Sequence, residues 1–347
     1  MDNVSKKDYI GIRKILAISL LSIVLALSCF ILVSSPVHAQ DDNNPLSKYL
    51  ANPNVVPVNN TAPQEYKVGI QLMNVRNVDR LTGTYDMTFW VVIVSDKIDF
   101  TVNPPPELEF VDGINIETSG LHTEKHLVKY KVIGTFQHGF DYRKYPFETL
   151  DMTIIMEPFF PLTADKLILT PISYRGSQDS SANNDIPGWD LTPGPVESTT
   201  HDYPWGKFSR FIAHYEVDSP PGMTFLKKLF TIIVLNIIVL IAFWFRPTAL
   251  ADRAAIAVGA ILASTYYHAQ FLLAELPPLG YLTLADKIVI ASYALYTFCV
   301  VSVLVHHRLG VRYGPEYETK QADRIDKKMR ILAPIVLIGT FFIIYPL

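Results

Sequence analysis

Residues 252–287 read DRAAIAVGAILASTYYHAQFLLAELPPLGYLTLADK. From Ala254 to Ala274 the run is long enough to cross a bilayer, which takes ~20 predominantly apolar residues. It is apolar through small side chains: Ala254, Ala255, Ala257, Gly259, Ala260, Ala263, Ser264 and Ala269. Small residues let helices approach closely. Thr265, Tyr266, Tyr267, His268 and Gln270 add polar groups to its middle and outer part, and such groups in a bilayer face protein or water rather than lipid. The residues alone allow two readings: a helix beside a water-filled axis, or a helix packed inside a bundle with no lumen.

Three other apolar runs flank this one after residue 225, at about Leu229–Phe245, Ile288–Val305 and Ile331–Leu347. They are rich in Ile, Leu, Val and Phe. Together they predict four membrane helices, at about 225–245, 253–274, 286–306 and 328–347, forming a transmembrane domain over 225–347. The linker after the first run holds Arg246 and Arg253. The linker before the last holds Arg308, Arg312, Lys320, Arg324, Lys327, Lys328 and Arg330. Basic linkers stay in the cytoplasm, which puts the preceding domain, the Pro277–Leu284 linker and the C-terminus outside a plasma membrane.

The totals agree. Hydrophobic residues make up 49% and charged residues 18%, against about 25% charged in a soluble domain, and mean hydropathy is +0.21. That excludes a soluble enzyme and a disordered chain. A fifth apolar run, Ile15–Val33, follows Lys6, Lys7, Arg13 and Lys14 and ends in Val37-His38-Ala39. This predicts a secretory signal over 1–39, cleaved after Ala39; an uncleaved anchor is the other reading. Residues 40–65 are Pro/Asn-rich and read as an N-terminal arm. The two cysteines, Cys29 and Cys299, lie in apolar runs, so the exported domain has no disulfide and no thiolate metal site. Residues 40–224 carry 14 basic and 24 acidic groups, net −10, against net +5 for 225–347. An acidic exported domain argues against nucleic acid and for attraction of cations, or simply for solubility.

Residues 66–224 read as an all-β sandwich. Tyr66–Met73, Tyr85–Ser95, Leu127–Phe136, Leu150–Met156, Lys166–Thr170 and Phe208–Val217 are short runs rich in β-branched and aromatic residues, separated by Pro, Gly, Asn and Asp. Ser173–Pro187 reads as a polar loop. No nucleophile elbow, HExxH or phosphate loop is present, and the histidines are scattered, so the chain is not read as an enzyme and no cofactor or metal is expected.

The most specific segment links two of these strands: FDYRKYPFE, Phe140–Glu148. It resembles the signature loop of pentameric ligand-gated (Cys-loop type) ion channels, and the absence of paired cysteines resembles the prokaryotic members. Val68–Asp96, VGIQLMNVRNVDRLTGTYDMTFWVVIVSD, is similar to that family's first two strands and their joining loop. Gly188-Trp189-Asp190-Leu191, Asp252-Arg253 and Pro277–Lys287 are similar to a strand start, the opening of the pore helix and the linker after it. Tyr215–Pro221 lacks the Arg that the family often has there, and Thr231–Phe245 lacks its Pro.

The resemblance implies an extracellular immunoglobulin-like sandwich followed by a four-helix transmembrane domain. It also implies a homopentamer in membrane lipid, gated by a small molecule or protons and passing ions. With Arg253 at the helix start, Asp252, Ala255, Gly259, Leu262, Tyr266, Ala269 and Leu273 line the pore. Leu262 is then an apolar ring able to block ions by dewetting, and Asp252 a ring of carboxylates favouring monovalent cations. A ring of five Arg253 side chains would favour anions, so Arg253 is expected to turn away. His268 is read either as a proton sensor or as a satisfied helix-interface histidine.

Agonists of the family sit in an aromatic box, and cages of this kind suit amines. By position Trp90, Phe159, Tyr203 and Trp205 are the ligand candidates, with core packing as the alternative for each. Coupling falls to Arg76–Tyr85, to Asp141, Arg143, Tyr145, Pro146 and Phe147, and to Leu279, Gly280 and Tyr281. The expected function is a cation-selective ligand-gated channel. The rivals are an anion channel of the same fold and a non-conducting membrane-anchored receptor, whose polar second run would pack internally.

Overall fold

The structure is a computed structural model and describes residues 62–172, 189–314, 317 and 321–346. The signal over 1–39, the arm up to residue 61 and the 173–187 loop lie outside the described residues. The chain divides into two units. One is built of strands and, among the described residues, comprises 62–141, 147–172 and 189–221. The other comprises Tyr142–Pro146 and the chain from Gly222 onward.

Among the described residues the strand unit has nine strands: β1 Gln64–Asp79, β2 Thr84–Val94, β3 Leu108–Phe110, β4 Gly113–Thr123, β5 Leu127–Gln137, β6 Thr149–Pro158, β7 Leu167–Pro171, β8 Asp190–Tyr203 and β9 Gly206–Asp218. They form a five-stranded sheet, β4-β5-β2-β1-β7, and a four-stranded sheet, β3-β6-β9-β8. β2 shows why this sequence makes strand. Tyr85, Met87, Phe89, Val91 and Ile93 are buried, and the residues between them are not, which is the period-two alternation of a half-buried strand. Phe89, Phe110 and Phe136 form the aromatic centre of the core, with ring centroids 5.7–6.2 Å apart. The Tyr85 hydroxyl ties the sheets together. It donates to the Thr153 carbonyl and accepts the Thr153 N–H, both at 2.9 Å, and burial pushes its pKa up.

The sandwich differs from the expected immunoglobulin-like one. Its larger sheet is mixed, because β7 pairs parallel to the start of β1, Gln64 opposite Leu167 through Val68 opposite Pro171. Three strands carry no run singled out in the sequence. β3 has three residues. β4 is exposed or half-exposed along its length and is bulged near Asn115 and Gly120, both at positive φ. β8, DLTPGPVESTTHDY, is a polar, largely exposed strand.

The second unit holds α1 Pro221–Lys228, α2 Phe230–Ala242, α3 Leu250–Tyr267, α4 Leu284–Tyr313 and α5 Ala322–Ile344. α3 continues as a π-helical turn, His268–Leu272, and a 3-10 turn, Leu273–Glu275. The expectation of four membrane helices is corrected here. Among the described residues two helices are long and apolar enough to cross a membrane, Leu250–Glu275 and Leu284–Tyr313. A third counts only if α1 and α2, bent by 55°, act as one.

The reasons are local. At the α1–α2 break the Tyr267 hydroxyl donates to the carbonyls of Lys227 and Lys228, at 3.0 and 3.3 Å, and a side chain inserted into the ladder is a known cause of kinks. That leaves α2 with 13 residues. α5 spends its first turns on Asp323, Arg324, Asp326, Lys327, Lys328 and Arg330. The apolar remainder, Ile331–Ile344, falls short of the ~20 residues a span needs. The two long helices support association with a membrane. The core of this unit gathers Val239, Phe243, Ala257, Ala260, Leu295, Phe298, Cys299 and Met329.

Candidate functional site

α3 has a narrow buried face and a wide exposed one, which also includes Val258, Ala263, Thr265, Gln270 and Phe271. Asp252, Ala255, Gly259, Leu262, Tyr266, Ala269 and Leu273 are all exposed. Arg253, Ala257, Ala260, Ser264 and Leu272 are all buried. The exposed steps alternate four and three residues, which keeps one stripe on one side of a helix. Leu262 and Tyr266 are 66% and 64% exposed, so the largest side chains of the stripe meet no other part of the chain in force. Gly259 has open space where a Cβ would stand.

Arg253 is 0% exposed and turns away from that stripe. Its guanidinium grips Asp326 of α5 in bidentate fashion, Nη1 to Oδ1 at 2.7 Å and Nη2 to Oδ2 at 2.8 Å. It also donates to the carbonyls of Phe243 and Phe245, just beyond α2. Asp326 accepts from Arg330 at 3.1 Å as well. His306 of α4 stands 3.5 Å from it and bonds the Tyr317 hydroxyl at 2.7 Å. Asp326 carried no signal in the sequence, because it pairs with a residue 73 positions earlier.

The segment Tyr142–Pro146 meets the start of α4. The Tyr142 N–H donates to the Tyr281 hydroxyl at 2.9 Å, and the Arg143 guanidinium lies 4.8 Å over the Tyr281 ring. The N–H groups of Leu284 and Ala285 donate to the carbonyls of Arg143 and Tyr145, both at 3.0 Å. These first-turn donors have no intrahelical partner. The next residue completes a capping box: Asp286 N–H bonds the Thr283 hydroxyl, and the Asp286 carboxylate takes the Thr283 N–H. The other Asp286 oxygen holds His268 Nε2 at 2.8 Å. Successive residues of one helix start therefore touch both the loop and the π-turn of α3.

Tyr145, fully buried, reaches Glu275 at 3.5 Å, and Glu275 pairs with Lys228. Leu279 is half-buried and Gly280 exposed. Asp141 and Phe147 fall in the strand unit. Thr283-x-x-Asp286 was readable in the sequence as a capping box; Glu275, Lys228 and His268 were not readable as partners.

In the strand unit, the tip of the β8–β9 hairpin stacks Tyr203 on Trp205, centroids 4.9 Å apart at 9°. His201 approaches Tyr203 edge-on at 4.5 Å. Arg210 donates to the Tyr203 hydroxyl at 3.1 Å and pairs with Glu157. Burial, then the Glu157 charge, raises the Tyr203 pKa. Trp205 is 48% exposed, and Phe159, just past β6, is 44% exposed. Trp90 is not brought to this cluster. It stands on the outer face of β2 in the other sheet, 5.9 Å under the Lys129 ammonium and against Gly120.

At the base of the same unit, Arg80 from the β1–β2 turn pairs with buried Glu148 at 2.6 Å and stacks 4.6 Å over Trp189. Among the described residues no group of three or more His, Cys, Asp or Glu is placed to hold a metal ion. No family model matches the chain, and no curated protein matches it.

Proposed function

We propose that the chain is a subunit of a ligand-gated ion channel, a homopentamer that passes monovalent cations. One observation carries this reading. Of the two helices that are able, among the described residues, to cross a membrane, the one with the small and polar residues is the less buried: 22% of the Leu250–Glu275 window against 56% of Leu284–Tyr313. A helix facing lipid should be the greasier of the pair, because polar groups inside a bilayer seek protein or water. Exposed Thr265, Tyr266 and Gln270 on the less apolar helix call for further copies around a wet axis.

On this reading the exposed stripe faces the axis. Leu262 forms the apolar constriction and exposed Asp252 the carboxylate ring at one mouth. Arg253 leaves its charge on Asp326 rather than in the lumen. With α1 and α2 acting as one bent span, the strand unit lies outside the cell and the basic linker before α5 inside. The agonist, a small amine or a proton, acts at the Tyr203–Trp205 hairpin tip. Its signal enters α4 through the backbone bonds of Arg143 and Tyr145.

The test is a particle image followed by reversal potentials in a salt gradient. The proposal expects fivefold symmetry and a cation preference that Asp252→Ala lowers. Particles of another symmetry, or an unchanged cation/anion ratio in Asp252→Ala, contradict it.

A further inference from the structure

Arg253 and Asp252 are neighbours in sequence with opposite fates. Asp252 is exposed at the head of the α3 stripe, while Arg253 is wholly buried. A guanidinium is almost never fully buried without a partner, and moving one out of water is costly unless its donors are used. Here Nη1 and Nη2 both reach the Asp326 carboxylate, Nη2 also reaches the Phe243 and Phe245 carbonyls, and Nε makes no hydrogen bond among the described residues. The two carbonyls satisfy hydrogen bonds but carry no charge. The charge is cancelled by Asp326, which is itself 0% exposed.

We infer that Asp326 sets charge selectivity at the Asp252 mouth by holding and neutralising Arg253. It is a positioning residue: it never meets the permeating ion and acts through Arg253. The inference rests on the channel reading above. Arg330 and His306 share the same carboxylate, and Arg330 also donates to the Phe243 carbonyl at 2.8 Å. The anchor is therefore fixed to α2, α4 and α5 at once. Remove its charge, and each subunit presents an uncancelled guanidinium one residue from the Asp252 carboxylate. The field that drew cations is then opposed from behind, or the freed side chain swings to the stripe. Both lower the preference for cations.

The experiment uses the full chain in liposomes, with reversal potentials in a sodium chloride gradient. Four proteins are compared: wild type, Asp326→Asn, Asp326→Glu and the double variant Asp326→Asn with Arg253→Gln. Asp326→Asn should lower the sodium-to-chloride permeability ratio roughly tenfold, the scale on which one uncancelled charge acts near a protein wall. Asp326→Glu should keep the wild-type ratio, and the double variant should recover it. A merely structural role would change current amplitude in Asp326→Asn and leave the ratio alone, and that result overturns the inference.

Arg253→Gln alone leaves Asp326 paired with Arg330 and guards against misfolding of Asp326→Asn. It should keep or raise the cation preference, and a lowered preference also overturns the inference. Conduction with these ratios unmoved sinks the role of Asp326 but not the channel. Absence of flux in every protein, wild type included, sinks both.

Discussion

The N–H of Ala285 donates to the carbonyl of Tyr145 at 3.0 Å. With the Leu284 N–H on the Arg143 carbonyl and the Tyr281 ring under the Arg143 guanidinium, the loop FDYRKYPFE supplies the first turn of α4 with acceptors that the helix lacks. Tyr281→Phe keeps the ring beneath Arg143 and removes the acceptor for the buried Tyr142 N–H. Losing it should cost about 1 kcal/mol. Thermal unfolding in detergent should show the loss, and agonist dose-response should shift with no change in ion permeability ratio. An altered ratio would place Tyr281 in the pore rather than in coupling.

Arg80 and Glu148 form a second buried relationship, inside the strand unit. Arg80→Ala leaves a carboxylate that is 2% exposed without its guanidinium partner. Breaking such a pair from one side costs about 3–5 kcal/mol. Replacing both, Arg80→Met with Glu148→Leu, should recover much of that loss. Denaturant unfolding of the single and double variants gives the comparison, and equal losses in both would contradict it.

Asp112 gives a pH-dependent prediction. Burial raises its pKa above 3.8, outweighing the opposing pull of His138 and Arg210. The folded state therefore binds this proton more tightly than the unfolded one, so stability falls as pH rises from 3.8 through the raised value and then levels off. Asp112→Asn removes the effect. The variant should match wild type below pH 3.8 and be the more stable above the raised value. A melting-temperature difference that does not change with pH would contradict this.

Labelling tests the faces of α3. In a background with Cys29 and the buried Cys299 replaced by Ser, cysteines at Leu262 and Tyr266 should react with a charged thiol reagent. Cysteines at Ala257 and Ala260 should not. Leu304 of α4 is 56% exposed yet should face lipid, so Leu304→Cys should also stay unlabelled. A cysteine at Leu262 that stays as unlabelled as the one at Leu304 would mean that exposure on α3 is lipid exposure.

How far the sequence carried this account differs from residue to residue. β2 was legible because Tyr85 to Ile93 alternate strictly. β8 was not, since its Thr, Ser, Pro and Glu residues show no apolar face to read. The parallel pairing of β7 on β1 joins segments a hundred positions apart and leaves no local pattern. The last apolar run looked like a span because Ile331–Leu347 was read without the charges before it. The structure commits those charges to the same helix, with Asp326 and Arg330 tied to Arg253 and Phe243. That Arg253 turns away from the stripe was expected, because a ring of five arginines around an axis would favour anions. Its partner was not, because the bond joins the start of α3 to the start of α5. His268 finds Asp286 only because α3 passes into a π-turn there.

The most direct measurement of the central claim is ion flux through purified wild-type protein in liposomes, screened over pH, calcium and small amines. The account predicts that at least one of these conditions opens a conductance whose reversal potential lies on the cation side. Folded protein that passes no ion under any of them, or passes chloride in preference to sodium, would contradict it.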